Sequence, residues 1–132
     1  MTRLTQTGLK LWRTGQQAKQ AGRCALCGLP LGTSPPHDPV GDHDHRTGAM
    51  RGVLHRGCNS LLGCLENNAP RYGVRDIGVF SNGVAQYLRV HMVNTHGGLL
   101  HPTYRTAEEK RLKRNTKARK KRAENKGLTD GE

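Results

Sequence analysis

Asp42-His43-Asp44-His45-Arg46-Thr47-Gly48-Ala49-Met50-Arg51-Gly52-Val53-Leu54-His55-Arg56-Gly57-Cys58-Asn59 is the stretch from which the fold can be read. It opens on a run of acids and imidazoles, turns at Gly48, and closes on a His-x-x-Cys pair followed by Asn59. Val40 to His45 reads as one strand and Met50 to His55 as a second. Arg46-Thr47-Gly48-Ala49 joins them, with Gly48 able to take the positive φ that such a turn often needs. Residues 58–66 read as a helix with Leu61, Leu62 and Leu65 on one side. The order is strand, strand, helix, with a pair of metal-ligand residue types at the strand-to-helix corner.

Upstream, Cys24-Ala-Leu-Cys27-Gly28 offers a second pair at the same spacing. Zinc takes four sulfur or nitrogen donors in a tetrahedron, and two tight turns present them in pairs. Cys24 and Cys27 form the first pair. The other is either His55 with Cys58 or Cys58 with Cys64. His55-Arg-Gly-Cys58 is preferred because it repeats the spacing and its Gly57 eases a tight turn. Cys64, inside the expected helix, then packs as a small hydrophobe.

The acid-imidazole run between these pairs suits phosphodiester hydrolysis. That reaction needs an activated water, a counter-charge for the phosphorane, and help for the departing 3′-oxygen. Mg²⁺ takes only one or two protein oxygens and keeps several waters, so Asp42 with Asn59 would suffice. A neutral imidazole near its natural pKa can accept the water's proton. The plain alternative is an exposed polar turn that binds metal adventitiously. The position of the run between two zinc pairs favours the chemical reading. Strand alternation sends Asp42 and Asp44 to one face and His43 and His45 to the other. Asp42 and His43 can serve one phosphate only if the strand ends or kinks, and Gly41 would permit this.

The rest of the chain fits a small domain that a metal holds together. Of 132 residues, 33 % are apolar, and only Trp12, Tyr72, Phe80, Tyr87 and Tyr104 are aromatic. A globular domain usually has about 45–50 % apolar residues, so this core buries little and a staple is expected. No run is long and apolar enough for a membrane span, and the N-terminus lacks a secretory signal. Reduced, metal-bound cysteines in a cytoplasm are the expectation, with no secretion. Residues 5–20 read as a helix with Leu9, Leu11 and Trp12 as its apolar contacts, stopped at Gly22. Pro30, Pro35, Pro36 and Pro39 make 29–39 a surface loop. Residues 67–82 read as irregular. Val84, Tyr87, Leu88 and Met92 then recur at helical spacing after Ser81-Asn82, with a stop over Asn94 to Gly98.

Charge is concentrated at the C-terminal end. The net charge is +12, and residues 105–126 hold 11 of the 22 Lys and Arg. A polyanion is the expected partner, nucleic acid first among them. Thr106-x-x-Glu109 is a capping box, and the Lys/Arg-rich segment after it has Leu112 as its only large apolar residue. That segment is expected to be disordered or a solvated helix. Two domains are expected: 1–104, with its motif core over 22–66, and a basic tail over 105–132. Arg46, Arg51 and Arg56 beside the site, and Lys113, Arg114, Lys117, Lys120 and Lys121 in the tail, are candidate phosphate contacts. Ordinary solubilising charge is the alternative. His91, His96 and His101 read as surface or packing residues.

Gly22-Arg-Cys-x-x-Cys27, Asp42-His-Asp-His-x-Thr-Gly48 and Arg51-Gly-Val-Leu-His-x-x-Cys-Asn-x-x-Leu-Gly63 together resemble the bacteriophage recombination endonuclease VII family, a branch of the ββα-metal (His-Me finger) nucleases. The resemblance covers about residues 10–66, and Gly83-Val-Ala-Gln-Tyr-Leu88 is similar to a helix that often follows. It implies an α+β, zinc-stabilised ββα-metal fold with flanking helices. It implies a Mg²⁺- or Mn²⁺-dependent endonuclease acting on DNA, with Asp42 and Asn59 as ligands of the catalytic ion. His43 would be the general base, and His45 would lie at the edge of the site. The structural Zn²⁺ would sit on Cys24, Cys27, His55 and Cys58. The family usually has Cys where this chain has His55, and His remains a competent ligand. Members of the family cut branched DNA, including Holliday junctions, as homodimers. For a phage-encoded chain the setting is the host cytoplasm. The alternatives are a nicking or homing-type HNH endonuclease, and a non-catalytic zinc-stabilised DNA-binding protein.

Overall fold

The computed structural model describes residues 2–93 and 98–129. In chain order these form helix α1 (Gln6–Lys19), strands β1 (Pro39–His43) and β2 (Met50–His55), and helices α2 (Arg56–Asn68), α3 (Ile77–Val90) and α4 (Ala107–Thr129). A single 3₁₀ turn, Ala69–Tyr72, follows α2. The chain divides into two compact units, Met1–Ala85 and Gln86–Glu132, with the division inside α3.

The hairpin is antiparallel, with Pro39 opposite His55, Val40 opposite Leu54, Gly41 opposite Val53 and His43 opposite Met50. Between Gly41 and His43 the register slips, so that two residues of β2, Arg51 and Gly52, stand opposite Asp42 alone. Such a bulge re-aims the side chain it carries. β1 stops at His43 rather than His45 because Asp44 turns the chain. Its carboxylate accepts the N–H of Arg46 at 2.7 Å and of Thr47 at 3.0 Å. Those two bonds hold the Asp44 carboxyl below its ordinary pKa. Gly48 completes the turn at φ +76° and donates its N–H to the Asp44 carbonyl.

α1 packs against this hairpin. The Thr5 hydroxyl caps it, accepting the Gly8 N–H at 3.0 Å. A Cβ on Gly41 would come within 3.1 Å of Met50 Cε and 3.3 Å of Trp12 Cζ3, so glycine there lets the helix approach. Leu9 and Trp12 face the hairpin, but Leu11 is 70 % exposed and contributes no such contact. Where α1 ends, the Gln20 side chain donates to the Val53 carbonyl at 2.8 Å and accepts the Val53 N–H at 2.9 Å. The Ala25 N–H adds a bond to the same carbonyl. The edge of β2 is thereby covered.

α2 packs on both strands. Its leucines are less buried than their spacing suggests: Leu61 is exposed, with Leu62 and Leu65 half-buried. Cys64 is exposed too and does not pack as a hydrophobe. The buried apolar residues of the described chain are Cys24, Val53, Leu54 and Ala69, joined by the polar Asp42 and His55. The lean composition does give a lean core.

α3 begins earlier than the Ser81-Asn82 signal. The Asp76 carboxylate accepts the Val79 N–H at 2.9 Å and starts the helix there, with Gly78 inside it. Residues 69–72 and 77–82 are therefore helical rather than irregular. The helix ends at Val90, and most of the expected stop over Asn94 to Gly98 lies outside the described residues. In α4 the capping box forms both ways: Glu109 accepts the Thr106 N–H at 2.7 Å, and the Thr106 hydroxyl accepts the Glu109 N–H at 3.2 Å. The helix is exposed throughout, the solvated of the two expected states. No helix among the described residues is long and apolar enough to cross a membrane.

Candidate active site and metal centre

The metal centre is built where the first cysteine knuckle meets the end of β2. One ligand atom each from Cys24, Cys27, His55 and Cys58 lies within 4.8 Å of the others. His55 Nδ1 is 3.3 Å from Cys27 Sγ and 3.7 Å from Cys58 Sγ. These approach the edges, about 3.3–3.8 Å, of a tetrahedron with ordinary zinc bond lengths. On the far side of the ring, Nε2 donates to the Pro30 carbonyl at 2.8 Å. That bond fixes the tautomer and leaves the Nδ1 lone pair for a metal. His37 stands edge-on to the same ring at 5.4 Å. The donor set fits a structural zinc, with His55 in the fourth place and Cys64 outside it.

The thiols already differ in acidity. Burial opposes ionisation of Cys24, yet backbone hydrogen bonds from Cys27, His55 and Leu26 bring it down to about 7. Burial pushes Cys58 up to about 11, and the neighbouring Cys27 and Cys24 sulfurs reinforce the rise. Crowded sulfurs resist sharing negative charge until a cation neutralises them.

The second constellation lies across the hairpin. Opposite the bulge, Asp42 is buried, at 5 % exposure, while His43 is exposed. The two neighbours differ in exposure as strand alternation has it, and β1 ends at His43. Both oxygens of Asp42 are held by Arg51: Nε to Oδ2 at 2.6 Å and Nη2 to Oδ1 at 3.0 Å. Arg51 also reaches Glu66 on α2, from Nη2 at 2.7 Å and from Nη1 at 3.2 Å. Hydrogen bonds to Asp42 and then Glu66 raise the guanidinium above its ordinary pKa. Asp42 and Arg51 border a cavity of about 300 Å³ with Leu54 and Leu62 in its wall. His43 meets His45 instead, ring centres 4.8 Å apart and tilted by 40°. Helical spacing puts Asn59 on the side of α2 that carries Leu62 and Glu66.

Among the candidate phosphate contacts, Arg46 is exposed in the hairpin turn. Arg56 is engaged by Asp38 through three hydrogen bonds of 2.7–3.1 Å. Lys113, Arg114, Lys117, Lys120 and Lys121 are exposed on α4. Glu66 and Gln20 were not anticipated. Glu66 shares a side of α2 with Asn59, but neither its type nor that of Gln20 marks it as a site residue.

A family model of recombination endonuclease VII matches residues 6–90, from the start of α1 to the end of α3. No curated protein matches the chain. The match spans both zinc pairs, the bulged hairpin and α2, and covers well over half of the sequence. The chain therefore belongs to the recombination endonuclease VII family and is an endonuclease.

Proposed function

We propose that this chain is a Mg²⁺- or Mn²⁺-dependent endodeoxyribonuclease that hydrolyses phosphodiester bonds in branched or distorted duplex DNA. The observation that carries the reading is a buried Asp42, opposite the bulge in β2, next in the chain to an exposed His43 that stands beside His45. A buried carboxylate needs a cation, and Asp42 has one already in Arg51. With the Asn59 amide on the facing side of α2, these residues suit a hard divalent ion that needs few protein ligands. Such an ion, when bound, supplies countercharge to the phosphate and to the departing oxygen.

The rest is chemistry of the chain. A ring nitrogen of His43 takes a proton from water, and the water oxygen bonds to phosphorus as the bond to the 3′-oxygen breaks. The 3′-oxygen leaves with a proton from solvent. His45 steadies the His43 ring and lies at the phosphate edge, while Arg46 is exposed to receive a phosphate. Zinc on Cys24, Cys27, His55 and Cys58 holds the corner from which Asn59 projects.

Residues 1–104 then serve as the nuclease domain, with its core at 22–66, and 105–132 as a DNA-attaching segment. On the α4 wheel, Lys110, Lys113, Arg114, Lys117, Lys120 and Lys121 fill an arc of about 120°. Arg111, Arg122 and Lys126 extend it on one flank, and Leu112, Thr116 and Ala123 form an uncharged strip opposite. Cations turned toward more than one side suit a helix lying between two phosphate chains. Val79, Phe80, Val84, Tyr87 and Leu88 are exposed along α3 and support a homodimer.

Incubation with linear, nicked and four-way-junction DNA, with and without Mg²⁺, tests the reading. Metal-dependent scission, fastest on the junction, is expected. Equal rates on all three would favour a nicking or homing-type enzyme. His43→Ala should lose cleavage by at least about 100-fold while keeping zinc content and DNA binding. Undiminished cleavage by that variant would remove His43 as the base.

A further inference from the structure

Arg51 occupies both oxygens of the carboxylate that the proposed function gives to a divalent ion, and it does so with its outer side in solvent. Its side chain is 35 % exposed, against 7 % for Asp42 and 26 % for Glu66. The guanidinium is thus bonded to a nearly dry acid on one side and to a wetter acid on the other. Bidentate pairing is the strongest form of such a contact. It engages both oxygens of Asp42, one bond to each, so a divalent ion meets a cation already seated there.

We infer that Arg51 is a resident cation which a divalent ion must displace from Asp42, with Glu66 as the group that keeps it when it lets go. The inference rests on Asp42 being a ligand of the catalytic ion. Asp42 and Glu66 together carry two negative charges, and Arg51 neutralises one of them. Adding a divalent ion with Arg51 still on Asp42 would crowd three positive charges against the single negative charge of that carboxylate. The guanidinium therefore moves toward Glu66, where two of its bonds already lie. A DNA phosphate arriving at the exposed side of Arg51 draws it the same way, because guanidinium pairs with phosphate as it does with carboxylate. DNA and the divalent ion then help each other to bind, since each removes Arg51 from Asp42. Coupling of this kind is reciprocal.

The consequence is a nuclease that loads its catalytic ion poorly without DNA. Glu66 becomes a positioning residue that no motif would flag. Its own sign is distinctive: without Glu66, Arg51 has only Asp42 to hold, and the ion competes less well.

The test is Mn²⁺ binding by the full-length, zinc-loaded chain carrying His43→Ala, read by electron paramagnetic resonance of free Mn²⁺, with and without duplex DNA. DNA is expected to tighten Mn²⁺ binding on the order of tenfold. Adding Arg51→Met should raise the DNA-free affinity on the order of tenfold and abolish most of the gain from DNA. Arg51→Lys, which keeps the charge but loses the fork, should fall between and guards against misfolding of the Met variant. Glu66→Gln should shift the DNA-free affinity the opposite way, downward. Unchanged or weakened Mn²⁺ binding in the Arg51→Lys variant, or an undiminished gain from DNA in the Met variant, would overturn the inference. Gel analysis of the same tubes separates the two readings: cut DNA there counts against His43 as the base, not against Arg51.

Discussion

Gln20 does with one side chain what a third strand would otherwise do. Its amide gives Val53 both a donor and an acceptor, and Val53 is among the few fully buried residues. Gln20→Ala would leave a buried N–H without its partner, at a cost of about 1–3 kcal/mol. Thermal melting of the zinc-loaded protein should show a lower midpoint, with the Cys₃His site still filled. An unchanged midpoint would mean that Ala25 and water suffice. At this scale the sequence was most legible where residue type dictates chemistry. Cys24, Cys27, His55 and Cys58 came from spacing and donor type alone, and the structure brings all four together. Gln20 and the Arg51–Glu66 contact were not legible, because glutamine, arginine and glutamate suit any exposed position. Their partners are set by how α1 and α2 lie on the hairpin, which no local pattern reports.

The hairpin and α2 form the most informative pair of elements, because one peptide bond separates Cys58 from Asn59. A ligand of the structural metal and a candidate ligand of the catalytic one share the first turn of a helix. Elements with strong local signals fell close to expectation: α1 within a residue at each end, β2 at its stated limits, and the α4 cap with both reciprocal bonds. Where two local signals competed, the reading failed. Ser81-Asn82 looked like a helix start, but Asp76 caps α3 first and Gly78 does not prevent it. The bulge in β2 was undetermined because alternation fixes faces only while register holds. For α4, truncation after Arg105 should leave cleavage chemistry intact and weaken DNA binding. The slope of log affinity against log salt should also flatten, by close to one for each phosphate that α4 neutralises. A filter-binding series across salt concentrations measures it. An unaltered slope would mean that α4 does not touch DNA.

Across the whole molecule, so few side chains are buried that hydrophobic burial supplies only a small part of the stability. Zinc binding at a structural site contributes about 10–16 kcal/mol, as much as the net stability of a typical domain. Chelating the zinc should therefore abolish the cooperative melting of the first unit rather than lower its midpoint by a few degrees. Circular dichroism of metal-stripped protein, with zinc added back, checks this; a persisting sharp transition would show that the hairpin and helices hold by themselves. The fold class was legible at this scale because thin composition and paired ligands point the same way. The division inside α3 was not, since neither charge nor proline marks it. A core of this size has an evolutionary consequence. Four ligands, a bulge and a handful of packed atoms are all that selection must guard for the chain to fold. Nearly every other position can be rewritten, so descendants of such a chain can change what they grip and how tightly without first having to learn a new shape.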